Sequence, residues 1–169
     1  IAANVGEACA QELEEEIQRE GENTILQLGI HNMHSELIRH IGKMKYRSSY
    51  GQNLLQHSVE VGYLTGIMAA ELGLDPVMAK RAGLLHDVGK TVDKSIEGPH
   101  ALLGYDLTKK FKEHPIVINA VGSHHEDIEM ESPIAASLCS TEVGTISTSP
   151  QAPTPAFPWR GWTSAAITP

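Results

Sequence analysis

Apolar residues recur every three or four positions through the middle of the chain, which is the spacing of one face of an α-helix. The pattern predicts a long, mostly buried helix over residues 52–72, ended by Gly73. Asp75 and Pro76 then have the form of an N-cap and a first-turn proline, and they predict a further helix to about Leu85. The apolar positions of the long helix are Leu54, Leu55, Val59, Val61, Leu64, Ile67, Met68 and Leu72.

Other segments also have helical spacing or helix-start signals. Ser35 predicts the N-cap of a helix over 36–45, and further helices are predicted at 100–111, 115–124 and 133–138. Nothing in about residues 31–136 shows the alternation of a strand, so the predicted class is all-α. We divide the chain into an acidic helical connector (1–22), a helical domain (23–143) and an irregular tail (144–169).

The connector has glutamates interleaved with Ala8, Leu13 and Ile17, which predicts a helix with a strongly acidic face. We interpret Gly21 as its stop signal, and residues 24–28 as a short strand or an extended lead-in. The helix is either an ordinary solvated helix or the end of a connector from an upstream domain.

The tail differs from the rest of the chain in composition, with an abrupt change near Ser137. It is rich in Ser, Thr, Pro, Ala and Gly, which predicts disorder or loose attachment. A shifted reading frame and a truncated paralogue are both open explanations. Its prolines, which forbid a regular helix, are Pro150, Pro153, Pro155, Pro158 and Pro169.

The formal net charge is −8, which argues against a globally basic nucleic-acid binder but leaves room for a local basic strip. No apolar run approaches the roughly 20 residues of a membrane-spanning helix. The cysteines, Cys9 and Cys139, are far apart, do not form a metal-binding pair, and favour a reducing cytoplasmic location.

Five of the nine histidines, with one aspartate, lie in apolar helices or at helix ends. One such histidine is ordinarily a core residue, and a lone His-Asp pair is usually structural. Together they suit a two-metal site for Mn, Mg, Fe, Ni or Zn. The predicted ligands are His57, His86, Asp87, His100, His124 and His125. Four histidines outside this pattern are expected to be surface or structural residues: His31, His34, His40 and His114.

The order His, His-Asp, His, His-His resembles the HD superfamily of metal-dependent phosphohydrolases, in its two-metal branch. Over about residues 10–136 the chain is most similar to ribonuclease Y. The stretches that carry this resemblance are residues 45–53, 55–58, 68–74 and 79–87.

The resemblance implies an HD-domain helical bundle that hydrolyses phosphodiester bonds of single-stranded RNA in mRNA decay. Asp87 would then bridge the metals and orient water, and Lys90 would hold a phosphate oxygen. Members of the family are membrane-anchored and carry a KH-type domain before the HD domain, and we recognise neither in this chain. We expect a cytoplasmic homo-oligomer.

A local basic strip suits backbone contact and base stacking on single-stranded RNA. It is equally consistent with an ordinary solvated helix face. Its predicted RNA-binding residues are Lys43, Lys45, Tyr46, Arg47 and Tyr50.

The sequence departs from the family at its last metal ligand. The family has an aspartate where this chain has Glu142, whose side chain is one methylene longer. Glu142 is therefore either a displaced ligand or an accidental carboxylate. Two other functions stay open: a nucleotide or cyclic-dinucleotide phosphohydrolase, and an inactive HD module that binds RNA or a partner.

Overall fold

The computed structural model of the protein describes residues 2–49, 51–93 and 95–147. These residues form seven α-helices, two 3₁₀ turns and one two-stranded hairpin, which confirms the all-α prediction. In chain order the elements are α1 (Ala2–Leu28), α2 (Ser35–Lys43), the first 3₁₀ turn (Met44–Tyr46), β1 (Ser48–Ser49), β2 (Gln52–Asn53), α3 (Leu54–Glu71), α4 (Pro76–Leu85), the second 3₁₀ turn (Val88–Thr91), α5 (His100–Lys110), α6 (Pro115–Ser123) and α7 (Pro133–Ser147).

Helix α1 passes through Gly21 without stopping, so the predicted stop at Gly21 and the strand or extended lead-in at 24–28 are both wrong. The helix ends instead before Gly29, which has a positive φ of 69°. Gly21 lies where α1 crosses α2: a Cβ added there would be 2.0 Å from the Ile38 carbonyl oxygen. Its lack of a side chain therefore permits close packing of two helices.

The core is built around α3, which packs against α4 and α7. The long apolar helix starts at Leu54, because Gln52 and Asn53 form β2, which the sequence pattern did not reveal. The Asn53 side chain caps α3 by accepting from the Leu55 and Gln56 backbone N–H groups. The fully buried side chains at the centre include Leu54, Val61, Leu84, Leu85, Val88 and Leu138.

Two histidines cap helices through their rings. His34, in place of the predicted Ser35, accepts the Glu36 N–H on Nδ1 and caps α2. His114 accepts the Ile116 N–H in the same way and caps α6. These contacts support the expectation that both histidines are structural.

Helix α7 continues to Ser147, nine residues beyond the predicted end at 138. Ile134, Ala135 and Leu138 bury its inner face against α3 and α6. The tail from residue 148 onward, with its predicted disorder, lies outside the described residues. Among the residues that the structure describes, no helix is long and apolar enough to cross a membrane.

Candidate metal centre

Helix ends bring the predicted ligands together. His86 follows the last residue of α4, and Asp87 immediately precedes the second 3₁₀ turn. His57 lies in the first turn of α3, and His100 is the first residue of α5. The pair His124-His125 follows α6 directly. Residues in first helical turns or directly after helices thus carry all six side chains into one space.

The two oxygens of the Asp87 carboxylate face different groups. Oδ2 lies 3.4 Å from His86 Nε2 and 3.9 Å from His57 Nε2. Oδ1 lies 3.3 Å from His100 Nε2 and 3.9 Å from His124 Nε2. The Asp87 side chain is fully buried, so its charge interacts with these rings at low dielectric.

The donor atoms form two groups of three, each with its atoms within 4.8 Å of one another. His57, His86 and Asp87 make the first group, which is buried. The second group is more open and contains His100, His124 and His125. Asp87 is a member of the first group, and its Oδ1 also lies close to two histidines of the second.

Backbone carbonyls orient two of the rings. His86 Nδ1 lies 2.7 Å from the Gly83 carbonyl oxygen, and His124 Nδ1 lies 2.6 Å from that of Val121. A carbonyl only accepts hydrogen bonds, so Nδ1 carries the proton in both rings. In the neutral form, Nε2 of each ring then presents its lone pair to the centre, as in histidine metal sites.

The electrostatics of the centre favour a charged Asp87. Burial alone would raise the pKa of this carboxyl, but His86, His100 and Lys90 outweigh burial and hold it well below its usual range. For His86, burial acts to lower the pKa, and the Asp87 charge reverses this and raises it. Burial lowers the pKa of His57 to about 4, so this ring is neutral at physiological pH.

These residues fit divalent metal ions. His86 Nε2 and Asp87 Oδ1 are both buried and have no hydrogen-bond partner of good geometry. Buried polar atoms are almost always partnered, so two such atoms at one point call for a ligand that is not part of the chain. Imidazole nitrogens with a carboxylate form a donor set typical of transition-metal ions.

Comparison with known proteins agrees with this geometry. The sequence profile described as "HD domain" matches residues 54–155. The chain belongs to the HD domain family. This confirms the family that the histidine order predicted.

The HD domain described here is also similar to curated proteins named ribonuclease Y. That of Clostridium kluyveri is 56% identical over 126 residues, which are 75% of this chain and 24% of the relative. That of Clostridium novyi is 55% identical over 126 residues, which are 25% of its length. That of Clostridium tetani is 54% identical over 126 residues, which are 24% of its length. The chain thus spans about a quarter of the length of these relatives. No solved structure matches it significantly.

Glu142 lies beside the second group of donors in this HD domain. Its Oε1 is 3.6 Å from His125 Nε2, and its side chain is only 4% exposed. It lies on the part of α7 beyond the helix end predicted from the sequence. Burial raises the pKa of its carboxyl. The position where the resemblance places an aspartate is therefore next to the centre.

Lys90 lies at the edge of the centre. Its Nζ is 2.7 Å from Asp87 Oδ2, and its side chain is 22% exposed. The same Nζ is 3.4 Å from the Ser49 hydroxyl oxygen. The hairpin that carries Ser49 is therefore a wall of the site. Sequence analysis missed Ser49, because four strand residues around a turn give no detectable strand pattern.

The cations of the predicted basic strip differ in their ion-pair partners. Lys45 Nζ lies 3.0 Å from both Glu16 Oε1 and Glu20 Oε1 of α1. Lys43 and Arg47 form no ion pair with any described residue. Tyr46 is half exposed, and Tyr50 lies outside the described residues.

Proposed function

We propose that this HD domain is the catalytic part of a metal-dependent endoribonuclease that hydrolyses phosphodiester bonds of single-stranded RNA in mRNA decay. The observation that carries the proposal is the Asp87 carboxylate between two groups of histidines, with one oxygen toward each. The relatives named ribonuclease Y support RNA as the substrate.

The chain's own residues would hold two ions. His57, His86 and Asp87 would bind one, and His100, His124 and His125 the other, with Asp87 shared. Divalent ions held there would supply Lewis-acid chemistry toward a phosphate oxygen and toward water. The high imidazole content favours Zn, Fe or Ni over Mg, which prefers oxygen ligands.

The second group of donors marks the side from which substrate enters. The His100 and His125 side chains are 28% and 41% exposed, whereas those of His86 and His124 are fully buried. Lys90 is also partly exposed and can turn from Asp87 to a phosphate oxygen. Its ammonium would then neutralise charge that develops on the phosphate during cleavage.

Two features of the molecule support the setting that we infer for this function. Cys9 and Cys139 are both free, which suits the reducing cytoplasm. On α3, Leu64 and Ile67 are large apolar side chains left exposed, which suits a homo-oligomer. Size-exclusion chromatography with light scattering tests the oligomer, and a monomer at all concentrations would contradict it.

The proposal is tested by RNA cleavage together with metal content. Asp87→Asn keeps the shape of the side chain and removes its charge, so we expect loss of both bound metal and cleavage. Asp106→Asn is the matched control, because Asp106 is an exposed aspartate on α5 away from the centre. Cleavage of a labelled single-stranded RNA is followed with added manganese and with chelator. Cleavage by Asp87→Asn at the wild-type rate would overturn the proposal.

The glutamate at position 142 supports a second candidate function, that of an inactive HD module that binds RNA without cleaving it. The family pattern has an aspartate there, and metal geometry tolerates little displacement of a ligand. A chain that binds single-stranded RNA, retains no metal and cleaves no RNA under any metal tested would establish the second candidate.

A further inference from the structure

The rim of the centre beside Lys90 is formed by the β1–β2 hairpin. The Ser49 hydroxyl lies 3.4 Å from Lys90 Nζ. The base of the hairpin is held by a backbone hydrogen bond of 2.9 Å from the Leu54 N–H to the Arg47 carbonyl oxygen. Ser49 is therefore fixed beside the site.

Arg47 lies on the same face of this segment as Ser49. Its backbone is extended, with φ −125° and ψ 146°, and alternate residues of an extended chain point the same way. Arg47 and Ser49 are accordingly half-buried, while Tyr46 and Ser48 are exposed. The Arg47 side chain thus lies on the same face of the segment as the hydroxyl that contacts Lys90.

Lys43, the last residue of α2, is a second basic residue on this side of the centre. Helix α2 packs on the second 3₁₀ turn, where His40 Nδ1 lies 2.7 Å from the Thr91 hydroxyl oxygen. Lys43 follows His40 by three residues, so both lie on the side of α2 near that turn. The turn also carries Lys90.

Asp93 gives independent evidence for where these two charges lie. The Ser95 backbone N–H and hydroxyl lower the pKa of the Asp93 carboxyl, and the nearby charges of Arg47 and Lys43 lower it further. Asp93 follows the second 3₁₀ turn by two residues. Arg47 and Lys43 therefore both lie near the segment that leaves the metal centre.

Two other cations of this region, Arg39 and Lys45, are neutralised by glutamates of α1. Arg39 forms two hydrogen bonds to Glu14, of 2.6 and 2.9 Å, and Lys45 binds two further glutamates of α1. A phosphate would have to compete with these carboxylates. Arg47 and Lys43 form no direct ion pair with a described residue, so a phosphate can bind them without breaking one; the Asp93 carboxylate acts on both only from a longer distance.

We propose that Ser49, Arg47 and Lys43 form a phosphate-binding row along which a single RNA strand leaves the metal centre, and that Lys45 takes no part in it. This inference rests on the proposed function, because it takes RNA as the substrate. The row binds successive phosphates without reading bases, so it supplies affinity for any single-stranded sequence.

The test measures RNA affinity without cleavage. Binding of a labelled twelve-nucleotide RNA is followed by fluorescence anisotropy in chelator, from low to high salt. Each lost phosphate contact lowers the salt slope of log K by about 0.7 for a single strand, which is about fivefold in affinity at 0.1 M salt. We expect these losses for Arg47→Gln, and losses of similar size for Lys43→Gln. Arg19→Gln is the matched control, because it removes the same charge from the exposed face of α1.

The outcomes separate the row from the proposed function. Losses in Arg47→Gln and Lys43→Gln, with Arg19→Gln and Lys45→Gln like wild type, support the row even if the protein cleaves no RNA. A loss in Lys45→Gln equal to that in Arg47→Gln overturns the row, because the whole strip would then bind. No loss in Arg47→Gln also overturns it, as does a wild-type chain that binds no RNA. Metal-dependent cleavage by wild type in either case would leave the proposed function standing.

Discussion

Single side chains in this HD domain acquire their roles from contacts that span much of the chain. The His86-Asp87 pair and the other histidines could be identified from sequence because imidazole and carboxylate are metal ligands. Their division into two groups about the two oxygens of Asp87 depends on three-dimensional packing. The same holds for His40, whose contact with Thr91 joins α2 to the second 3₁₀ turn.

At Glu142, the length of the side chain decides where the carboxylate lies. Its Oε1 lies 3.6 Å from His125 Nε2, at the more open group of donors. We expect Glu142→Asp to increase RNA cleavage, since the resembled family has aspartate there. Glu142→Gln, which keeps the length and removes the charge, should reduce metal retention by about 10- to 100-fold. Metal analysis and cleavage rates check both. Equal values for all three proteins would place residue 142 outside the working site.

The buried His40 ring makes stability depend on pH. Burial, together with the nearby charges of Lys43, Arg39 and Lys110 and against that of Glu36, lowers its pKa to about 4. The unfolded chain takes up this proton near the ordinary value of about 6.5. This contribution to stability is therefore complete above pH 6.5 and is lost progressively as the pH falls toward 4.

We expect His40→Gln, which cannot titrate, to remove this contribution. At pH 7.5 the variant should be less stable by about 1 kcal/mol, because the hydrogen bond to Thr91 is changed. The difference should narrow or reverse by pH 4.5. Urea unfolding at several pH values measures it, and a difference that stays constant with pH would rule out His40 as the titrating group.

Whole elements were predictable where their signals are local. Asp75 and Pro76 begin α4 as predicted, because a cap and a first-turn proline act within one turn. The prediction that Gly21 ends α1 was wrong because a glycine in a helical pattern can have either of two structural roles, which look alike in sequence. One is termination and the other is close approach of a second helix, here Ile38 of α2. The reciprocal contact, at which a Cβ on Gly42 would be 1.8 Å from the Ile17 carbonyl oxygen, makes α1 part of the packed domain.

A pair of glycine substitutions on α1 tests this packing. Gly21→Ala places a methyl group against the α2 backbone, so we expect a loss of about 1–3 kcal/mol or more in the free energy of unfolding. Gly6→Ala is the matched control, because nothing lies within 4 Å of a Cβ there. It should be neutral or stabilising by about 0.5–1 kcal/mol, as alanine favours helix over glycine. Equal effects of the two substitutions in urea unfolding would mean that α1 does not pack on α2.

At the scale of the molecule, one partly buried network of hydrogen bonds joins segments far apart in sequence. Arg81 of α4 makes two hydrogen bonds to Glu113, of 2.5 and 2.7 Å. It also donates to the backbone carbonyls of His31 and Asn32, between α1 and α2. No sequence pattern predicts this, because the partners are 32 to 50 residues away. The spacing of apolar residues predicts helices, but it does not predict long-range polar contacts of this kind.

Loss of Arg81 should therefore loosen several elements together. Arg81→Leu leaves the Glu113 carboxylate, whose side chain is only 3% exposed, without its cation. Breaking a buried pair from one side costs about 3–5 kcal/mol, and we expect this loss in the free energy of unfolding. Arg81→Lys should lose less, because an ammonium keeps the charge but cannot reach all four acceptors with the geometry of a guanidinium.

Arg19→Leu is the control for this prediction, because Arg19 is exposed on α1. Hydrogen exchange distinguishes a global effect from a local one. If the network joins the segments, amides of α1, α4 and α6 should lose protection together in Arg81→Leu, since Arg81 joins the middle of α4 to the segment after α1 and the segment before α6. Loss of protection confined to α4 would show that Arg81 stabilises only its own helix. Metal retention would then also be expected to fall, because His86 and Asp87 directly follow α4.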